Sequence, residues 1–215
     1  IRARSANRAA SRQLMSYELA NQHAYSASWQ NFDPVRPSFL GTRIYDDYSL
    51  ETLVPYIDWT PFFITWSLAG KFPAILKDHK VGKAAQDLFD DARTMLDEII
   101  ASRNLRAKAV VGFWPANRSG TNDIYVWHKH EKDQPAATLH FLRQQTVKAG
   151  ENAQLCLADF IAPESSGKQD YLGGFVVTAG IGAEDLARKY EEKQNDYNAL
   201  MVKALADRLA EAFAE

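Results

Sequence analysis

Apolar residues recur at helical spacing along two stretches of the chain. Between 82 and 102, Ala85, Leu88, Ala92, Met95 and Ile99 follow one another at three or four positions, which predicts an amphipathic helix with these residues on its buried face. Between 183 and 215 the same spacing links Leu186, Tyr190, Tyr197, Leu200, Met201, Ala204, Leu205, Ala212 and Phe213. No Gly, Asn or Pro follows to stop that pattern, so it predicts one helix running to Glu215, roughly 45 Å long at about 1.5 Å per residue. Such a helix needs a neighbour for its apolar stripe.

Other segments are shorter. Thr60-Pro61 reads as a helix start, with Thr60 as N-cap and Pro61 as the first helical residue; that helix carries Phe62, Phe63 and Trp66 and ends near Gly70. A short helix is expected over 49–54. Residues 40–45 read as a strand ended by Asp46-Asp47. Residues 109–114 and 123–127 read as strands flanking a turn at 117–122, with further strands at 136–142 and 171–178. Strands follow one another without long helices between them. That pattern predicts an α+β fold, a mostly antiparallel twisted sheet flanked by helices, with a long C-terminal helix. Residues 31–39, with Pro34 and Pro37, should be extended. Residues 5–28 are polar, with a weak stripe of Leu14, Tyr17, Glu18 and Asn21, and read as an arm or linker packed on something else.

Composition narrows the class. The 215 residues are 46% hydrophobic and 24% charged, ordinary for a globular protein, and the net charge of -2 argues against a general nucleic-acid binder. No apolar run is long enough to span a bilayer. A single cysteine, Cys156, excludes an internal disulfide and fits a reducing, cytoplasmic setting. The opening Ile1-Arg2-Ala3-Arg4 has neither an initiator Met nor a signal-like apolar stretch, and the last helical pattern is not closed. A piece of a larger protein is therefore expected, and a binding module rather than a self-contained enzyme.

Candidate chemistry is sparse. Asp58 stands among Tyr56, Trp59, Phe62 and Phe63, and with Thr60 as N-cap its carboxylate is two positions too early to cap the helix. It is then free for a cation or for donors, the plainer alternatives being turn amides or a nearby Lys or Arg. His128-x-His130 with Glu131 ends a strand but lacks a third and fourth ligand at convincing spacing, so no metal is expected. His140 and Cys156 read as core or near-core residues. Gly173-Gly174 marks a bulge or close packing, and the Gly180-x-Gly182 pair is a weak nucleotide signal without its third glycine. A hydrolase using Asp58 would need a second, nearby carboxylate with a raised pKa.

Whole segments carry more. Tyr56-Ile57-Asp58-Trp59-Thr60-Pro61-Phe62-Phe63, Trp66-Ser67-Leu68-Ala69-Gly70-Lys71 and Gly112-Phe113-Trp114-Pro115-Ala116-Asn117-Arg118 closely resemble the reactivation (activation) domain of cobalamin-dependent methionine synthase. So do Leu142-Arg143-Gln144-Gln145, Leu157-Ala158-Asp159-Phe160-Ile161-Ala162-Pro163 and the run from Met201 through Ala206-Asp207-Arg208-Leu209-Ala210-Glu211. They occur in the family's order. The resemblance implies a reactivation domain over 40–215, incomplete at its C-terminus, and a linker over 1–39 towards the cobalamin-binding module.

It also implies a function. The parent enzyme moves a methyl group from methyltetrahydrofolate to homocysteine through cobalamin. The reactivation domain binds S-adenosylmethionine, docks on the cobalamin module, and supports reductive remethylation of oxidised cobalamin with electrons from flavodoxin or a related reductase. The family's acid at the amino group of S-adenosylmethionine maps to Asp58. Glu211 falls where the family places an acid near the pocket, and Lys71 is a candidate for an interdomain salt bridge. The family's Arg-x-x-x-Gly-Tyr signature has no counterpart, since the sequence contains no Gly-Tyr pair, and the Asp-x-His-x-x-Gly cobalamin signature is absent too. The expectation is half a pocket with weak or undetectable affinity, and cobalamin held by another module. The alternative is a protein-interaction module that docks a cobalamin domain and flavodoxin without binding S-adenosylmethionine.

Overall fold

The structure, a computed structural model, describes residues 13–128, 134–147 and 153–215. The chain forms two compact units, one from residues 43–111 and 175–215, the other from the residues up to 42 together with 112–174. Among the described residues the strands are β1 (Gly41–Tyr48), β2 (Arg106–Ser119), β3 (Asp123–Val126), β4 (Ala137–His140) and β5 (Asp170–Ile181). They pair in the order β1-β2-β3-β4, with β5 also beside β2; the β2–β3 and β3–β4 ladders are antiparallel. With its helices this makes an α+β fold, as the strand succession predicted. No helix among the described residues is long and apolar enough to cross a membrane.

In the unit of 43–111 and 175–215, four helices build the core: α2 (Trp59–Thr65), α3 (Gly82–Ser102), α4 (Ala183–Glu191) and α5 (Asp196–Ala214). Helix α1 (Tyr17–Gln22) belongs to the other unit. The predicted α3 face is the observed one, with Ala85, Leu88, Ala92, Met95 and Ile99 all buried. They meet Phe62 and Phe63 of α2 and Met201, Val202, Leu205 and Leu209 of α5 in one cluster. Burial of this apolar surface, at roughly 25 cal/mol per Å², is what holds short helices that would be marginal alone.

Four expectations are corrected here. The single helix over 183–215 is broken: Gln194 adopts a left-handed φ of 57°, and the Asn195 carboxamide oxygen accepts the Asn198 N–H at 3.0 Å, capping a new helix. The break lets α4 pack against α5, which at 19 residues runs about 28 Å. Strand β1 does not stop at Asp46-Asp47; it continues to Tyr48, and Asp46 instead pairs with Lys108 of β2 at 2.5 Å. The expected helix over 49–54 is a pair of 3-10 turns, Leu50–Thr52 and Val54–Tyr56. Helix α2 ends at Thr65, short of Gly70, its last carbonyls meeting the N–H groups of Trp66, Ser67 and Leu68.

The Gly180-x-Gly182 pair has a packing explanation. Gly182 sits at φ +102° as the N-cap of α4, and a Cβ there would lie 2.4 Å from the Asn104 carbonyl oxygen.

In the other unit, β2 continues straight through Asn117 and Arg118, so the turn is shorter than predicted. The Asn117 carboxamide donates to the Ala162 and Lys168 carbonyls at 3.1 and 2.9 Å, which keeps a buried polar residue satisfied inside the strand. A small core of Ala116, Ile124, Val126, Cys156 and Ala158 lies beneath. Cys156 is buried as expected. His140 is not: it is exposed, and its Nδ1 donates to the carboxylate of Asp123, its cross-strand partner, over 2.9 Å, because β4 turns Leu139 onto the core and the adjacent His140 to the other face. Gly173 is the predicted close packing, since a Cβ there would meet the Phe113 ring at 2.7 Å.

The polar centre of this unit is Arg143. Its guanidinium is fully buried on the Asp159 carboxylate through two bonds of 2.7 and 2.8 Å. The remaining N–H groups reach the Asn21 and Asn122 side chains and the carbonyls of Gln154 and Thr121. Helix α1 (Tyr17–Gln22) is held there through Asn21, and residues 14 and 24 form β-bridges to 146 and 154. Hydrogen bonding to Asp159 outweighs burial and keeps the Arg143 guanidinium above its ordinary pKa.

Candidate functional site

The Tyr56-Ile57-Asp58-Trp59 stretch is a turn leading into α2. Ile57 and Trp59 are buried and anchor it, while Tyr56 and Asp58 face outward. Asp58, not Thr60, is the N-cap: its Oδ1 accepts the Thr60 N–H at 2.9 Å. Pro61 then falls at the third helical position, which costs nothing because the first-turn amides have no partner within the helix. The plainer alternative for Asp58, a bond to turn amides, therefore holds for one oxygen. Oδ2 has no bond among the described residues.

Helix α5 packs against the Val54–Tyr56 turn and against α2. Its buried stripe of Leu205, Leu209 and Ala212 leaves Glu211 at the rim. The result is one open pocket of about 490 Å³, lined by the stretch from Pro55 to Asp58 and by Glu211, Ala212 and Glu215. Asp58 and Glu211, singled out separately in the sequence, thus open onto the same space.

Glu211 is not a loose surface acid. Both its oxygens accept from Arg208, at 2.7 and 2.9 Å, and Arg208 also donates to Asp207 at 2.6 Å. The Arg208 side chain is only 8% exposed although its partners are well solvated. Burial alone would lower its pKa; the Asp207 and Glu211 carboxylates outweigh that and raise it, so the group stays charged. Sequence reading passed over Arg208 because an arginine on an outer helix turn is usually solvated. The available signal was its place in the apolar stripe, three residues after Leu205 and one before Leu209.

Lys71 is exposed, and its ammonium has no ion pair among the described residues. It does not line the pocket. His128 is exposed, while His130 and Glu131 lie outside the described residues. A second cavity, about 320 Å³, lies between the end of β1 and the end of α3, with Asp47, Glu51, Arg103 and Arg106 around it. Its charges are mixed, and no motif residue reaches it.

Fold and pocket define a class: an α+β domain that sets the acid of a Tyr-Ile-Asp-Trp turn beside the acids of its C-terminal helix. Residues 49–215 match the family described as vitamin B12 dependent methionine synthase, activation domain. The chain belongs to that family. It is similar to a solved structure described as the crystal structure of the MetH reactivation domain bound to AdoHcy, with 49% identity and a TM-score of 0.88. The match covers 94% of this chain and 61% of that one, so the chain spans less than two thirds of its neighbour.

Proposed function

We propose that this chain is the S-adenosylmethionine-binding part of a cobalamin-dependent methionine synthase, serving the reductive remethylation of oxidised cobalamin. The observation that carries this reading is the convergence of Asp58 and Glu211 on one pocket. The structural neighbour bound to AdoHcy, which shares the adenosyl and amino-acid groups of S-adenosylmethionine, supports it.

The residues present suit such a ligand. An α-ammonium needs an acceptor, and Asp58 Oδ2 has no bond among the described residues while Oδ1 is fixed on Thr60, so the carboxylate is held without being used up. Tyr56, 60% exposed, offers an aromatic face beside it. When bound, the sulfonium supplies the methyl group; the chain's own residues bind and orient. The chain has neither the Arg-x-x-x-Gly-Tyr signature nor the Asp-x-His-x-x-Gly one. It therefore provides one wall of the site, with low affinity, and the cobalamin is held by another module. Docking on that module, an ion pair from Lys71 across the junction, a linker role for residues 1–39, and electron supply by flavodoxin or a related reductase complete the proposal, in a cytoplasmic protein.

The test is a nuclear magnetic resonance titration of the 215-residue chain with S-adenosylmethionine to millimolar concentration. Shifts should cluster at Tyr56, Asp58, Glu211 and Ala212. A charge-assisted bond is worth about 1.5–3 kcal/mol, so Asp58→Asn should weaken binding roughly ten- to hundredfold. A silent titration would remove the ligand assignment and leave the docking-module reading.

A further inference from the structure

We propose that Arg208 is a positioning residue of the pocket, fixing the plane and reach of the Glu211 carboxylate. This rests on the reading of the pocket as a ligand site that uses Glu211.

Arg208 occupies a position in the buried stripe of α5, with Leu205, Leu209 and Ala212, where a leucine would serve packing without the cost of desolvating a cation. Its partners Asp207 and Glu211 are 67% and 63% exposed and would stay solvated without it, so the ion pairs themselves add little to stability. Stability does not explain an arginine there; geometry does. The planar fork takes one lone pair from each oxygen of Glu211, at 2.7 and 2.9 Å. A carboxylate has about four acceptor positions, so one on each oxygen remains for a ligand, and the fork sets where they point. Asp207, at 2.6 Å, holds the fork from the other side. Because the Arg208 side chain is only 8% exposed, packing leaves the clamp few other rotamers. Glu211 is thus pre-set on the pocket it shares with Asp58, whereas a free glutamate on a helix surface would have to lose rotamer freedom on binding.

A double-mutant cycle on the 215-residue chain tests this, read by the same titration with S-adenosylmethionine. Arg208→Leu should weaken binding about three- to tenfold, and Arg208→Lys, which keeps the charge but not the fork, about two- to fivefold. In the Glu211→Gln background, Arg208→Leu should change binding less than about twofold, since its effect runs through Glu211. Circular dichroism and thermal unfolding confirm that the variants fold, and Arg208→Lys keeps the test open should Arg208→Leu fail to. An undiminished affinity in Arg208→Leu overturns the proposal, and so does an equal loss in both backgrounds, which would mark a general packing role. A wild-type chain that shows no shifts at all overturns the pocket reading and this proposal with it; binding by the wild type with no effect of Arg208 overturns this proposal alone.

Discussion

At Asp58 one carboxylate both starts a helix and faces the pocket, and substitution can separate the two. Asn caps a helix about as well as Asp, so Asp58→Asn should leave stability within a few tenths of a kcal/mol while removing the charge. Asp58→Ala should cost about 1 kcal/mol in urea unfolding, the usual loss for a missing cap. The sequence made the acid visible through its aromatic neighbours but misplaced the helix start. Thr60-Pro61 has the chemistry of a cap and first residue, and only the Asp58 Oδ1 bond to the Thr60 amide shows the start two residues earlier. Arg208 was hidden for a different reason. Its spacing from Leu205 places it in the apolar stripe, but a long cationic side chain there reads as one that reaches solvent, and its burial is settled by the neighbours that α5 meets.

Among the elements, α3 was legible because one face carries Ala85, Leu88, Ala92, Met95 and Ile99 at unbroken helical spacing and its ends fall at Gly82 and Ser102. The 183–215 stretch was only half legible. Asn195 is a cap by type, but it stands inside a continuing apolar pattern, and the break rests on the left-handed Gln194 before it. Asn195→Ala should remove that cap at a cost of about 1 kcal/mol, measured by thermal unfolding. The join between α3 and α5 adds a pH dependence. Burial, then the hydrogen bond to Asp91 at 2.8 Å, pushes the Tyr197 phenol up to about 12 from its ordinary 10.0. The fold favours the protonated phenol, so this contribution is complete below about pH 10 and is lost as pH rises through about 12. Tyr197→Phe should abolish the latest step in the tyrosinate absorbance titration and flatten the fall in stability over that window.

Across the whole molecule, the segments that resemble the family divide between two kinds of work. The Tyr56–Phe63 stretch and the run ending at Glu211 meet at the pocket. The segments around Asn117, Arg143 and Asp159 instead form the buried polar centre of the other unit. Sequence alone marked both sets as characteristic and could not sort them, because a ligand contact and a buried hydrogen bond call for the same residue types. The sorting has a measurable consequence. Arg143→Met leaves the Asp159 charge buried without its partner and should cost roughly 3–5 kcal/mol in urea unfolding, far more than any pocket substitution. Asn21, Asn122 and the Gln154 and Thr121 carbonyls lose their donor in the same step.

The single thiol of the chain lies three residues from Asp159, with its own amide bonded to that carboxylate at 2.8 Å. It is therefore a built-in clock. A thiol reagent in native buffer reaches Cys156 only when that part of the molecule opens. Under conditions where reclosing outpaces labelling, the rate divided by that of an unfolded thiol is the open fraction. The unit of residues 43–111 and 175–215 carries no cysteine, so one reagent and one residue follow the breathing of the Arg143 centre without an engineered probe.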